Sequence, residues 1–500
     1  MDTIRVKNLK SITDSGEIEI KPITVFVGQN SSGKSSLIRC FPLFKQSAES
    51  KILGTVLWSG KYVDYGSFDE SVKHGLDVKD SREISFSFSF RISSGHVRSS
   101  LAAESLVKLT IKVYGDEYGK SSYTDISYEM YGNKFSIRTN PEFKIISLHI
   151  NEVDFTKQAL ESFQIYKIYT IIPVLFRNAR TAVQYGSHYV TLIREITNHV
   201  HHRTSEFKIQ QIARNLKFSD DETIKKSLSN KALVGDYAAA KISQWKITDK
   251  KFKSIKDQII FVNLERITDE IADNFRAHFL ASRYITPLRA AADRYYRIQN
   301  TSIEELDPNG SNLAMFLYAK KESEIDEINL WLKSEIGFSI EIVGSHGHAS
   351  IFIIDGEEGS KTNIADTGFG ISQILPVLIQ VWQQSKRSNL GIGIKNTPTM
   401  IVIEQPELHL HPKMQSRVGE AFCRAIKLAK SKNIDLRIII ETHSREIIDA
   451  IGRSIERETI GKDDAGIYIL SKGRDINVRR SHFDAGGFLE QWPYGFFDGQ

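Results

Sequence analysis

Apolar and polar positions change their rhythm along the chain, and each rhythm predicts a different kind of element. At the start, "TIRVKN", "EIEI" and "ITVFV" read as short strands, the last running into a glycine-rich turn and then the helical stretch "KSSLIRCFPLFKQS". From about residue 84 to 150 the alternation has a period of two, in "ISFSFSFRI", "LVKLTIKVY" and the hairpin-like "YEMYGNKFSIR". That pattern predicts an antiparallel sheet with one buried face. Residues 155–300 carry Lys, Ile, Leu, Gln and Glu at helical spacing with almost no Pro, which predicts a helical lobe, and no long heptad run marks an extended coiled coil. After residue 300 strand and helix signals alternate again: "FSIEIVG", "ASIFIID", the helix "SQILPVLIQVWQQ", then the apolar strands "TMIVIE" and "LRIIIET". The expected organisation is therefore an α/β chain with parts 1–154, 155–300 and 301–500, the middle one an insertion.

Composition narrows the class. Five hundred residues exceed what one hydrophobic core organises, and 41% hydrophobic content fills two or three lobes. No apolar run approaches the roughly 20 residues that cross a bilayer, and "MDTIRVKNLKSI" lacks a secretory apolar core, so a cytoplasmic protein without membrane contact is expected. Cys40 and Cys423 are too few for a disulfide framework or a four-cysteine zinc site. Residues 203–258 hold 13 Lys and Arg against 7 Asp and Glu, more than the net +5 of the whole chain. Such a surplus attracts nucleic-acid phosphates or an acidic partner, but it also describes an ordinary solvated helical face.

"GQNSSGKSS", Gly28 to Ser36, fits G-x-x-x-x-G-K-[ST] between an apolar strand and a helix. Gly28 and Gly33 let backbone N–H groups turn onto phosphate, Lys34 supplies a point charge and the Ser35 hydroxyl a magnesium ligand. Asn30, Ser31, Ser32 and Ser36 complete the loop, so ATP and Mg2+ are the expected cofactors. "MIVIEQPE" is an apolar strand that delivers Glu404 beside this loop, as the second holder of magnesium. "DTGFGISQ" is a small-residue turn that puts Ser372 at a helix start, where it can grip phosphate, and "IIIETHS" is a second apolar strand ending near His443.

In this order the motifs resemble the ABC-type ATPases of the SMC and OLD group. More closely, "KPITVFVGQNSSGKSSL", "YVDYGSF", "ITPLRAAADRYY", "DTGFGISQILPVL" and "WPYGFFDGQ" resemble the compact ATPases of bacterial phage-defence operons, the PtuA type of Septu and of Septu-like retrons. The likeness hardly touches residues 155–280. It implies an ABC-ATPase head, a mixed sheet with the phosphate loop plus an antiparallel β subdomain, with Lys34 and Ser35 as Walker A, Ser372 as signature serine, Glu404 as Walker B and His443 as switch histidine. It also implies an ATP-bridged homodimer, or a higher oligomer, and a separate effector nuclease of the HNH, PtuB-like kind; nucleic acid, including retron msDNA, is a further candidate partner. No HNH or Toprim pattern is visible, so cutting is expected of another chain. Gln46 matches the Q-loop glutamine by proximity only, and its helical position predicts a solvated side chain.

Gln405 stands where these ATPases carry a second acid that polarises the attacking water. An amide is a poor base, although its carbonyl can orient water, so slow or partner-triggered hydrolysis is expected. Glu407 is either the substitute base or a brace for the "HLHP" turn that follows. His409 and His411 lack a third ligand at metal spacing and resemble the D-loop region at the dimer seam. His199, His201 and His202 read as a surface or loop cluster rather than a metal site. Two other readings stay open: an ATP-bound scaffold that sequesters a toxin nuclease, as in PARIS systems, and an SMC-like DNA-repair ATPase whose segment 203–258 grips DNA.

Overall fold

Period-two alternation becomes side-chain placement in the antiparallel sheet: along Ser105–Gly115 and Asn133–Thr139 every second residue is buried, with Val107, Leu109, Ile111, Phe135 and Ile137 inside. The structure is a computed structural model describing residues 1–50, 54–73, 82–92, 105–115, 121–166, 171–177, 189–298, 303, 305–356, 359–386, 398–473 and 476–492. The end motif "WPYGFFDGQ" lies outside these from residue 493 on. The chain forms two compact units of interleaved segments: Met1–Leu9, Gln46–Gly60 and Asp64–Ala277 make one, and Lys10–Lys45, Lys61–Val63 and His278–Gln500 the other.

In the first unit the strand order is Val153–Asp154, Ile145–Ile150, Asn133–Thr139, Ser121–Met130, Ser105–Gly115, Glu83–Ile92, Thr3–Leu9, antiparallel throughout. Tyr131 (φ 50°) and Gly132 (φ 73°) close the hairpin predicted at "YGN". Two positive φ values in succession match the right-handed strand twist. The 31-residue helix Lys250–Leu280 packs aromatics on this unit: Phe275 meets Phe88 and Phe90, and Phe261 meets Phe155 and Phe163. Shorter helices at Glu206–Asn215, Asp221–Leu228 and Lys231–Val234 begin where Ser205, Asp220 and Asn230 cap them, each side chain accepting from a first-turn N–H. One reading is corrected here: Gln46 is 2% exposed, because the chain returns over it and its Nε2 donates to Leu57 O at 2.6 Å. His199 lies in the turn after Val190–Thr197, as the loop reading has it, but buried edge-on against Trp245.

The second unit is built on a mixed sheet in the order Arg283–Ile285, Thr399–Glu404, Leu436–Glu441, Ile23–Gly28, Ala465–Lys472, Ile476–Phe483, Leu489–Glu490. The first five are parallel neighbours and the last two turn back. Parallel strands covered on both faces read as unbroken apolar runs, which is why "ITVFV", "MIVI" and "RIII" carry no alternation. Arg283–Ile285 lies in the stretch whose pattern predicts helix; three residues are too short to show a period. Helices Phe369–Lys386, Pro412–Ser431 and Arg445–Glu456 contribute Leu375, Leu378, Phe422 and Ile451 to the core around this sheet. The helical run after the phosphate loop breaks at Arg39, between Lys34–Ile38 and Cys40–Glu49, where Pro42 cannot donate back to Ile38. The expected fold, a mixed sheet carrying the phosphate loop together with an antiparallel sheet and helices, is the observed one. No helix among the described residues is long and apolar enough to cross a membrane.

Candidate functional site

Ile23–Gly28 is buried along its whole length and ends in the loop "GQNSSGKSS". Glycine is required at both ends of that loop. A Cβ at Gly28 (φ 156°) would stand 2.2 Å from Leu470 O, and one at Gly33 (φ 86°) 2.6 Å from Ile476 Cδ1. Asn30 and Ser31 are exposed, Ser36 is half-buried, and Ser32 is buried with its Oγ unbonded among the described residues. Lys34 Nζ donates to the carbonyls of Gly28 and Gln29 at 2.9 and 2.8 Å and lies 4.0 Å from Glu441 Oε1. Burial lowers its pKa, and Glu441 and Glu407 oppose that shift.

The neighbouring parallel strands end level with each other, Glu404 opposite Glu441. The Ser35 hydroxyl donates to both oxygens of Glu441, at 3.0 and 2.8 Å. Burial, followed by the charge of Glu404, pushes the Glu441 carboxyl up to about 7. Glu404 is held by Arg39 through a two-bond fork, Nε and Nη2 each at 2.8 Å, and by the Tyr284 hydroxyl at 2.6 Å. Leu436–Glu441 lies between the strand that ends at Glu404 and the strand that leads to Ser35, and the carboxylate bonded to Ser35 is that of Glu441.

Beyond the strand end Gln405 adopts φ 44°, its N–H donating to Glu441 O, and its side chain makes no hydrogen bond among the described residues. Both oxygens of Glu407 are engaged, by Thr442 Oγ1 at 2.8 Å and by His443 N at 2.7 Å. Burial raises its pKa, against those two bonds. Glu407 and His443 are therefore directly bonded. Partial desolvation and then the Lys34 ammonium lower the His443 pKa, which favours a neutral ring. His411 accepts from Lys413 N as the cap of Pro412–Ser431, and His409 lies with its ring 5.8 Å from Phe369.

Ser372, in the first turn of Phe369–Lys386, is buried, donates to Phe369 O at 3.0 Å and has no hydrogen bond to the phosphate loop of its own chain. Its neighbour Gln373 accepts from Arg289 N and donates to the carbonyls of Arg289 and Ala290. The buried Arg289 guanidinium then reaches the carbonyls of Glu404 and Gln405, at 2.8 and 3.4 Å. Burial pushes its pKa down to about 10, so it stays a cation at neutral pH. Arg289 joins the start of Phe369–Lys386, through its backbone, to the end of Thr399–Glu404, through its guanidinium.

Arg39, Tyr284, Arg289 and Glu441 are absent from the sequence reading. Glu441 had a signal, since "IIIE" repeats the apolar run and acid of "IVIE"; the others come from distant segments that no spacing rule connects. Removing the fork should expose its weight. Arg39→Ala is expected to destabilise the chain by roughly 2–3 kcal/mol in urea unfolding, below the range for fully buried pairs because Arg39 is itself partly exposed. Loss of less than about 0.5 kcal/mol would place the fork among inert surface pairs.

A glycine-framed phosphate loop, a buried lysine and two strand-end carboxylates define a nucleotide hydrolase of the phosphate-loop class. The chain belongs to the AAA ATPase domain family, whose model matches residues 1–448, and is an ATP-binding ATPase. Among solved structures it is similar to the Smc head domain with an extended coiled coil bound to the C-terminal domain of ScpA from Pyrococcus furiosus, at 13% identity over 96% of this chain and 95% of that one, with TM-score 0.36. It is also similar to the SMC head domain from Thermotoga maritima, at 8% identity over 96% and 97%, with TM-score 0.33. No curated protein matches it.

Proposed function

We propose that the chain is an ABC-type ATPase of anti-phage defence in which two copies close on ATP, each phosphate loop facing the other's Ser372 turn, and that the nucleotide state governs a separate HNH-type effector nuclease. The observation that carries the ATP part is the convergence of Lys34, Ser35, Glu441, Glu407 and His443 at the ends of adjacent parallel strands. The motifs from "YVDYGSF" to "DTGFGISQ" support the defence part through their resemblance alone.

The residues present suit Mg·ATP. Ser32 Oγ is a buried orphan on the phosphate loop, and the Ser35 hydroxyl beside Glu441 and the neighbouring Glu404 offer the hard oxygens that magnesium prefers. When bound, magnesium neutralises phosphate charge. Lys34 would bind the phosphates, Ser35 and the two acids would hold the ion, and Gln405 could orient water without being able to take its proton, so hydrolysis would be slow.

Closure is supported by the signature turn itself. Phe369 is exposed at its start, and Gly370 packs so tightly on His409 O that a Cβ would come within 2.8 Å. That contact ties the turn to the segment following the acid strand. Ser372→Arg should abolish ATP-dependent association in light scattering, because a long cation cannot be seated at the seam; since Ser372 is buried, a thermal melt and ATP titration run in parallel, with Ser372→Ala as companion, separate lost closure from lost fold. Undiminished association would reject the shared-site arrangement, and copurification without a nuclease would reject the effector assignment.

A further inference from the structure

A second site lies in the unit that contains the antiparallel sheet, where two hairpin turns meet the first turns of Lys250–Leu280 around a cleft of ≈ 650 Å³. That volume accommodates a mononucleotide-sized ligand. One turn is Tyr131–Gly132; the other is Asn151–Glu152, with Asn151 at φ 52°. Asn151 locks the two together, its N–H donating to Lys134 O and its Oδ1 accepting from Lys134 N. The rim carries Lys134, Lys250 and Lys253, all exposed and without an ion pair among the described residues, whereas the fourth lysine, Lys256, is neutralised by Asp221 at 3.0 Å.

The interior is short of donors. Gln258 lines the cleft at 7% exposure, and its Oε1 has no hydrogen-bond partner among the described residues. Asp257 beside it is 6% exposed and, among the described residues, takes a single side-chain hydrogen bond, from Asn151 Nδ2. A carboxylate has about four lone-pair sites, so most of its capacity is unused. Burial accordingly raises the Asp257 pKa. Val153, exposed at 48%, and the buried Phe155 supply an apolar wall.

Three rim lysines without an ion pair among the described residues, an apolar wall and two neighbouring acceptors suit a flat heterocycle with adjacent N–H donors and a phosphate. We propose that this cleft binds a nucleoside phosphate, with guanine as the preferred base and the phosphate on Lys134, Lys250 and Lys253. Guanine presents N1–H and N2–H side by side toward Asp257 and Gln258. The site accounts for part of the positive segment 203–258 that the ATPase reading does not use, and it is separate from the phosphate loop.

The test titrates the Lys34→Ala chain calorimetrically with 5′-GMP, with 5′-UMP and with a 5′-phosphorylated oligonucleotide that begins with guanosine. One GMP per chain is expected. The pair Lys134→Glu with Lys253→Glu, both on the exposed rim, should weaken binding at least tenfold with circular dichroism unchanged. UMP, which lacks an amino group, should bind at least tenfold more weakly than GMP. Tighter binding of the oligonucleotide would assign the cleft to a strand end, and tighter binding of GMP to a free nucleotide; both support the site. Absence of binding by GMP and oligonucleotide alike, or affinity indifferent to the two charge reversals, overturns it, and equal affinity for UMP overturns the choice of base.

Discussion

Lys34→Ala is expected to lower ATP affinity by about two orders of magnitude or more. The ammonium is buried among the carbonyls of Gly28 and Gln29 with the Glu441 carboxylate nearby, so it is a fixed charge at the loop rather than a mobile surface one. Charge-assisted hydrogen bonds contribute about 1.5–3 kcal/mol each, and about 1.4 kcal/mol is a factor of ten, so losing two of them reaches the hundredfold range. The truncation also leaves the two carbonyls without their donor, so a Lys34→Met chain, which keeps the volume, is the proper companion. Fluorescent-nucleotide titration with a thermal melt in parallel separates lost affinity from lost fold. Wild-type affinity in both variants would remove the phosphate-loop assignment.

The other large effect is expected at the water-activating position. Gln405→Glu should raise a slow turnover, within the range of about 10²- to 10⁴-fold that general-base assistance provides. The backbone there is already left-handed at φ 44°, and the side-chain amide makes no hydrogen bond among the described residues, so the substitution changes chemistry and little else. Glu407→Gln distinguishes base from brace. An amide carries one acceptor oxygen, whereas Glu407 accepts from Thr442 and His443 N at once, so a bracing role predicts that ATP affinity and melting temperature fall together with turnover. A base role predicts lost turnover with affinity kept. It also predicts a pH signature: burial raises the Glu407 pKa, so the basic form is lost on acidification at a pH above the usual carboxylate range, and the acid limb of the rate profile should sit there in wild type and vanish in Glu407→Gln. Turnover as fast as an ordinary transporter's, indifferent to both changes, would put the water-activating group elsewhere.

The fold was legible because its signals are local. Alternation at "LVKLTIKVY", positive-φ turn residues at "YGN", and apolar runs for buried parallel strands each declare an element within ten residues. Spacing made legible where Gly28 to Ser35 fall, between a strand and a helix, and that Ser372 falls in the first turn of another helix. The site was not legible where partners meet through the fold. That Ser35 bonds Glu441, that Glu404 answers to Arg39 and Tyr284, and that Arg289 bridges Gln373 to the Glu404 carbonyl follow from how strands, helices and a loop far apart in the chain pack together. Gln46 shows the limit from the other side, since a helical position says nothing of the loop that later covers it.

Strand order also sets a schedule for synthesis. Ile23–Gly28 sits between Leu436–Glu441 and Ala465–Lys472, and Ser35 and Glu441 are 406 positions apart. A ribosome that has just made the phosphate loop therefore holds a strand whose two neighbours do not yet exist. Non-local pairing of this kind is slow to form and leaves apolar edges open meanwhile, which makes the nascent chain a client for chaperones. The same delay is protective: a product that stops before Leu436–Glu441 lacks the carboxylate that Ser35 bonds, and so cannot assemble the nucleotide site.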